Sequence, residues 1–250
     1  TPVEKLLFNI SSKGVYDQLE GGIARYTVDE KWVIPHFEKM LYDNIQYINL
    51  LTKFYQKTKK EYFKKKLIQT INFINKEFKN EENLYGSAYD ADSEGIEGKY
   101  YVWSYEELKK LLENDFALFE KKYEISNTGN FEGKNILVET KNELNEEEQN
   151  KITNIEEKLI QERKKRIKPF FDDKTQTDLN TYWLSTLIFV AEVLDKEMTE
   201  LGILPKEKQY EVPKELTLPI KDQHIDENII QKSGHSNEKD PRDWRQPYRK

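Results

Sequence analysis

The chain has 250 residues, 40 of them basic and 46 acidic, which gives a formal charge of −6 and an isoelectric point of about 5.4. An acidic chain does not suit general binding to a phosphate backbone, so we expect no nucleic-acid partner. The absence of cysteine excludes disulfides, thiolate nucleophiles and cysteine-based zinc or redox sites, and no other pattern indicates a metal or a cofactor.

The sequence carries no pattern for membrane insertion or export. Its longest apolar run, residues 184–194, is shorter than the roughly 18 residues that a membrane span needs. The first residues lack the charged and then apolar order of a secretory signal. We therefore expect a cytoplasmic protein with no membrane partner.

Apolar residues recur at helical spacing through the first 125 positions, which predicts a helix-rich core. A short helix is expected over residues 3–19, weakened or kinked by Gly14 and ended by Gly21 and Gly22. A longer helix is expected to open at Pro35, and another over residues 61–78, so that the two pair as an antiparallel hairpin. The stripe of the longer helix consists of Phe37, Leu41, Asn44, Ile48, Leu51 and Tyr55.

Strand-like composition occurs between residues 84 and 103. Residues 84–89 and 99–103 predict the two strands of a small β-hairpin around a glycine-rich acidic turn. From residue 196 onward five prolines lie among charged residues, which predicts an extended or disordered tail over 196–250 after a folded domain over 1–195. Further helices are predicted over residues 105–112, 114–123, 145–166 and 178–194.

The first group of candidate site residues lies at the start of the longer helix. At about 100° per residue, His36, Lys39, Asp43 and Tyr47 share a strip beside the apolar stripe. A histidine and an aspartate on one face can bind a polar ligand or share a proton. The alternative is a boundary helix whose polar residues cap neighbouring loops. Asn44 lies within the stripe itself, so its burial predicts an internal polar network.

The second constellation is the acidic segment that begins at Asp90. Asp90, Asp92 and Glu94 alternate before Gly95, as at the start of an EF-hand loop, but position twelve of such a loop is Tyr101 instead of a bidentate glutamate. Calcium binding of that kind is therefore disfavoured. Carboxylates flanked by aromatic residues fit a polar substrate cleft better, such as one for sugar hydroxyls, and a plain polar turn is the alternative.

The third constellation is a basic run over residues 163–168, which precedes two adjacent aspartates. Cations are expected at a helix C-terminus because they interact favourably with the helix dipole, and we prefer this interpretation to a localisation signal or a nucleic-acid patch. Asp172 and Asp173 can supply carboxylates to the same cleft. Asp178 is expected to begin the next helix or to cap it.

Three blocks of this sequence together resemble the thioredoxin-domain-containing family related to spermatogenesis-associated protein 20. They comprise residues 14–29 with 35–44, residues 89–95 through 101–103, and residues 166–174. The resemblance covers roughly residues 5–195. It implies a mainly α fold, namely an (α/α) toroid of the six-hairpin glycosidase and N-acylglucosamine 2-epimerase type, present here as an incomplete first half with a small β-hairpin insertion.

The sequence departs from the family in ways that affect function. The family's N-terminal thioredoxin-like domain is absent, in agreement with the missing cysteines, so redox activity is not carried over. Related sugar epimerases use two histidines, and the matched region has only His36, because His224 and His235 lie in the tail. Leu179 stands where the family usually has tryptophan, and similarity ends near Asp195. We therefore expect a truncated gene, a split protein or a fragment.

The resemblance implies a carbohydrate-related domain of a thioredoxin-domain-containing protein, with glycosidase- or epimerase-like activity as one outcome and no mechanism assigned. The alternative is a truncated, non-catalytic remnant or an interaction module that associates through an open toroid edge. The catalytic candidates are His36, Asp90, Asp92, Asp172 and Asp173. The candidates for binding a carbohydrate ligand are Arg25, Tyr26, His36, Lys39, Tyr42, Asp43, Glu94, Trp103 and Lys174.

Overall fold

The computed structural model describes residues 1–194, and the tail predicted over 196–250 lies outside them. The mainly α fold class is confirmed for these residues, whereas the toroid and the domain boundary near residue 195 stay predictions. The helices are α1 (Pro2–Ser12), α2 (Leu41–Thr58), α3 (Glu61–Glu77), α4 (Tyr105–Leu112), α5 (Phe116–Lys122), α6 (Glu146–Arg163) and α7 (Thr177–Leu194). The two-residue strands are β1 (Tyr26–Thr27), β2 (Pro35–His36), β3 (Lys39–Met40), β4 (Ala88–Tyr89), β5 (Asp92–Ser93), β6 (Ile96–Glu97) and β7 (Phe171–Asp172).

The first hydrophobic core forms around α2, which packs against both α3 and α7. Lys59 has a left-handed backbone that closes α2, and only one further residue precedes α3, so the predicted helical hairpin is confirmed. The spacing of apolar residues on α2 and α3 produces this core because one face of each helix is buried. Its fully buried members include Leu41, Ile45, Ile48, Leu51, Leu67, Ile71 and Ile74.

A second hydrophobic core joins α4, α5 and α6. Trp103 and Leu108 pack there with Phe119, Tyr123 and Leu159. A capping box at Ser104 starts α4, and a second capping box at Asn145 starts α6. The helix predicted over 145–166 ends at Arg163, and the helix predicted over 3–19 ends at Ser12, before Gly14 is reached.

The prediction that the longer helix opens at Pro35 is wrong. Residues 35–36 form β2 and residues 39–40 form β3, and α2 begins only at Leu41. The extended backbone is stabilised by partners distant in sequence, since His36 lies opposite Tyr26 and Lys39 lies opposite Tyr89. His36 and Lys39 therefore do not share a helical strip with Asp43 and Tyr47, and Tyr47 is buried in the first core.

The predicted pairing of residues 84–89 with residues 99–103 is also wrong. Strand β4 pairs instead with β3 on one side and with β7 on the other. The hairpin that does form, β5–β6, lies inside the expected acidic turn. Glu94 and Gly95 both have positive φ, at 54° and 72°, which suits a tight two-residue turn between twisted strands.

One face of α7 remains exposed within residues 1–194. Leu184 and Ile188 are 59% and 56% exposed, whereas Trp183 and Val190 on the opposite face are buried. Such an exposed apolar stripe is typical of a surface that associates with another element. In the part of the chain that the structure describes, no helix has both the length and the apolar character needed to cross a membrane.

Candidate functional site

A group of charged and aromatic side chains lies at the surface around His36. We call this group the His36 cluster, and it comprises Arg25, Tyr26, His36, Glu38, Tyr42, Asp43 and Glu97. The rings of Tyr26 and His36 stack, with centroids 4.9 Å apart and planes 20° apart. His36 Nδ1 lies 2.8 Å from Glu97 Oε1, and Arg25 Nη1 donates to Glu38 Oε2 at 2.8 Å. Tyr42 lies beside the same Arg25 guanidinium.

The side chains of Asp29 and Asn44 form the hydrogen bonds that hold the loops next to this cluster in place. The Asp29 carboxylate accepts hydrogen bonds from the backbone N–H groups of Val33 and Ile34, which turns the chain so that β2 pairs with β1. Asn44 is fully buried and bonds both the N–H and the carbonyl oxygen of Ile23. The internal polar network predicted for Asn44 is thus confirmed, and it holds the segment before β1 against the start of α2.

Successive side chains of this extended segment point alternately to the surface and to the interior. His36 and Glu38 interact at the surface, whereas Phe37 and Lys39 are buried. Phe37 supports the β5–β6 hairpin from below, and Gly98 allows this approach because a Cβ atom there would lie 2.4 Å from the Phe37 ring. The hairpin carries Glu97 to His36 as a result.

Asp43 is a partly buried acid of the cluster. It lies in the first turn of α2, and its Oδ2 atom is buried with no hydrogen-bond partner in residues 1–194. Burial raises the pKa of the Asp43 carboxyl to about 6, the nearby Arg25 opposes this shift, and Glu38 adds to it. A carboxyl group that titrates near neutral pH can donate or accept a proton under physiological conditions.

We expect Asp43→Asn to raise the melting temperature at pH 7 to 8. The pKa of Asp43 is higher in the folded state than the value of about 3.9 in an unfolded chain, so ionised Asp43 opposes folding above pH 6. The gain should shrink as the pH falls through 6 and vanish below about 4, where both states are protonated. Thermal melts between pH 4 and 8 test this, and a gain that does not depend on pH would contradict it.

Lys39, a predicted binding residue, lies in a buried ion-pair network under the cluster. Its Nζ donates to Asp17 Oδ2 at 2.9 Å and sits 4.4 Å from the centre of the Phe73 ring. Arg163 bonds both Asp17 oxygens, at 3.0 and 2.9 Å, and also bonds Glu20 at 2.8 Å. A cavity of about 30 Å³ beside these groups has room for a water molecule but not for a sugar.

Three acidic candidates lie on or next to the β5–β6 hairpin. Asp90 is exposed between β4 and β5, and Asp92 is exposed directly opposite Glu97. Glu94 occupies the turn and pairs with Lys99 at 2.8 Å. Of these three, Asp92 is placed beside the His36 cluster by its strand partner.

The remaining candidates lie elsewhere. Asp172 is in β7 opposite Ala88, and its only ion pair in residues 1–194 is with the neighbouring Lys174, at 3.5 Å. Asp173 is exposed next to them. Trp103 is buried in the second core, with the Arg166 guanidinium 4.0 Å from its ring centre. The structure therefore brings together five candidates, which are Arg25, Tyr26, His36, Tyr42 and Asp43.

The sequence did not identify Glu38 and Glu97 as candidate site residues. A helical interpretation of residues 35–44 placed Glu38 on a different face from His36, whereas a strand with period two places the two side chains on the same face. No local signal links Glu97 to His36, because they are 61 positions apart. Within residues 1–194, no group of three or more histidine or acidic side chains is arranged to hold a metal ion.

Comparison with known proteins gives relatives that are longer than this chain. No family model matches it. It is 27% identical over 223 residues to spermatogenesis-associated protein 20 of Homo sapiens and 28% identical over 223 residues to that of Mus musculus. It is also 32% identical over 118 residues to an uncharacterized protein of Caenorhabditis elegans, covering 44% of this chain and 16% of that protein. The first two alignments cover 75% of this chain and 28% of each relative.

Proposed function

Because this chain is related to the spermatogenesis-associated protein 20 family, we propose that it is a carbohydrate-binding domain with part of an (α/α) toroid and that a sugar binds at the His36 cluster. The observation that carries the proposal is that five of the candidate residues, namely Arg25, Tyr26, His36, Tyr42 and Asp43, lie in one surface group. This group is the mixed charged and aromatic set around His36.

The chemistry of the cluster suits a polyhydroxyl ligand. Tyr26 as a residue is 51% exposed, and one face of its ring stacks on His36, so the ring offers its other face to the C–H groups of a sugar ring. Arg25 supplies hydrogen-bond donors, and the carboxylates of Glu38 and Glu97 supply acceptors. A few placed polar groups beside an aromatic surface are typical of small-molecule recognition.

Proton transfer on the bound sugar is a further part of this proposal. Asp43 has the pKa expected of a group that donates or accepts a proton near neutral pH, and His36 lies in the same cluster. His36 is the only histidine in residues 1–194, so the described part of the chain does not supply the histidine pair of the related epimerases. Any glycosidase- or epimerase-like reaction here would therefore depend on carboxylates with one histidine.

We expect a sugar to raise the melting temperature of the 250-residue chain and expect Tyr26→Ala to abolish this effect. A ligand at about 100 times its dissociation constant adds about 2.7 kcal/mol to the free energy of unfolding. Differential scanning fluorimetry with a panel of mono- and disaccharides measures the shift. Tyr182→Ala is the matched control, because Tyr182 is a partly exposed tyrosine on α7. No shift with any sugar, or an equal shift in Tyr26→Ala, would refute the proposal.

A second candidate function is association with a second copy of this chain. The exposed stripe of α7, with Leu184 and Ile188 at its centre, favours this function. Sedimentation velocity over a range of protein concentrations tests it, since self-association raises the sedimentation coefficient.

A further inference from the structure

A second small cavity borders the buried ion pair of Asp17 and Lys39. Its volume is about 10 Å³, which is close to the minimum that holds one water molecule. Four polar side chains from separate parts of the chain line it, and each is more than nine-tenths buried. They are Glu20 after α1, Lys39 in β3, Glu77 at the end of α3 and Tyr100 before α4.

The Tyr100 hydroxyl is a hydrogen-bond donor at this cavity. Tyr100 is 4% exposed, and its Oη atom is buried with no hydrogen-bond partner among the described residues. Burial raises the pKa of this hydroxyl above its usual range, and the nearby Glu20 raises the pKa further, so the group keeps its proton at neutral pH. A buried hydroxyl without a partner costs free energy, and most such groups in proteins bond to another group or to an ordered water.

The other three side chains keep unused hydrogen-bonding capacity. The Lys39 ammonium has three N–H donors, of which one bonds the Asp17 carboxylate and one bonds a backbone carbonyl oxygen. A carboxylate has about four acceptor positions, and the described residues fill two of them at Glu20 and three at Glu77. The cavity therefore offers one donor each from Tyr100 and Lys39. It also offers acceptors from Glu20 and Glu77.

This combination of donors and acceptors selects the ligand. Water can accept two hydrogen bonds and donate two, so a single water molecule matches all four groups. A chloride ion accepts hydrogen bonds but donates none, and it would lie beside two carboxylates. A metal ion would lie beside the Lys39 ammonium, and no group of three or more acidic or histidine side chains in residues 1–194 is arranged to hold one.

We propose that this cavity binds one internal water molecule as a fixed part of the structure. The water accepts hydrogen bonds from the Tyr100 hydroxyl and the Lys39 ammonium. It donates hydrogen bonds to the carboxylates of Glu20 and Glu77. The water thereby links β3 to the end of α3, to the loop after α1 and to the segment before α4. This inference does not depend on carbohydrate binding at the His36 cluster.

Tyr100→Phe removes the hydroxyl and keeps the ring, so its effect on stability distinguishes a bonded hydroxyl from an unbonded one. We expect the folding equilibrium constant to fall about fivefold, which is about 1 kcal/mol, in urea denaturation of the 250-residue chain. Tyr105→Phe is the matched control, because Tyr105 is a partly exposed tyrosine of α4, and it should leave the stability unchanged. Unchanged or higher stability of Tyr100→Phe would overturn the inference, because removal of an unbonded buried hydroxyl is neutral or stabilising.

A crystal structure of the wild-type chain, with a second crystal soaked in bromide, locates the ligand directly. We expect one water peak within about 3.2 Å of Tyr100 Oη and Lys39 Nζ, and no anomalous signal from bromide at that position. An empty cavity, a bromide peak there, or a direct hydrogen bond from Tyr100 Oη to a carboxylate would each overturn the inference.

Discussion

Arg163→Met is expected to lower the free energy of unfolding by about 3–5 kcal/mol, because it leaves buried carboxylates without their main cation. The Arg163 side chain is 1% exposed, and its two terminal nitrogens bond Asp17 and Glu20. Methionine fills a similar volume but offers no donors. Among residues 1–194, the buried negative charges of Asp17 and Glu20 would then be paired only with Lys39 and Lys76.

Chemical denaturation of Arg163→Met and of Lys165→Met measures this effect. Lys165 follows α6 and pairs with Glu162 at the surface, so its replacement should change stability by no more than about 0.5 kcal/mol. The double variant with Asp17→Asn should lose less than the sum of the two single losses, because the residues share one network. Equal losses in Arg163→Met and Lys165→Met would contradict the prediction.

The same network makes the stability of the fold depend on pH. Burial by itself raises the pKa of Asp17, but Arg163 and Lys39 outweigh burial and hold the pKa well below its usual range. A carboxyl group with a lowered folded-state pKa contributes stability that is present above pH 4 and is lost as the pH falls further. We therefore expect the stability difference between the wild type and Arg163→Met to narrow below pH 4.

Glu139→Gln is expected to lower the free energy of unfolding by about 2–4 kcal/mol, because the Glu139 carboxylate is the common partner of three side chains. Its Oε1 atom accepts from the buried Lys66 at 3.0 Å and from Lys122 at 3.1 Å, and its Oε2 atom accepts from Tyr62 at 2.9 Å. The backbone N–H of residue 139 also donates to the carbonyl oxygen of Ser12. Glutamine keeps a hydrogen-bond acceptor but removes the negative charge that is paired with the buried ammonium of Lys66.

Urea denaturation compares this variant with Glu143→Gln, which removes an exposed carboxylate four residues away and should be nearly neutral. Burial alone would raise the pKa of Glu139, but Lys66 and Lys122 lower this pKa overall. The loss in the free energy of unfolding should therefore be complete at pH 7 and should diminish below about pH 4, where the carboxylate becomes protonated. A loss in Glu139→Gln no greater than that in Glu143→Gln would show that the carboxylate does not stabilise the fold.

Apolar periodicity was a reliable guide where helices bury one face. Leu41, Ile48, Leu51 and Tyr55 of the predicted stripe lie in the first core, whereas Phe37 packs in a separate small cluster. Asn44 within the stripe has the polar partners that its burial requires. Five of the candidate binding residues, namely Arg25, Tyr26, His36, Tyr42 and Asp43, also lie in one cluster in the structure. The prediction from local sequence was wrong over residues 35–40, because Phe37 and Leu41 have helical spacing although two short strands form there.

By itself the sequence determined the helix-rich class, the buried faces of α2 and α3, and the exclusion of thiol chemistry, because these follow from composition and local spacing. Only the tertiary structure decided that residues 35–40 are extended, that Glu97 reaches His36 and that Arg163 pairs with Asp17 across 146 positions. Periodicity indicates which side of a helix or strand is buried. It does not indicate which distant residue supplies the backbone hydrogen bonds or the opposite charge that the helix or strand needs. In this chain those distant partners form both the candidate site and the ion-pair network that supports it.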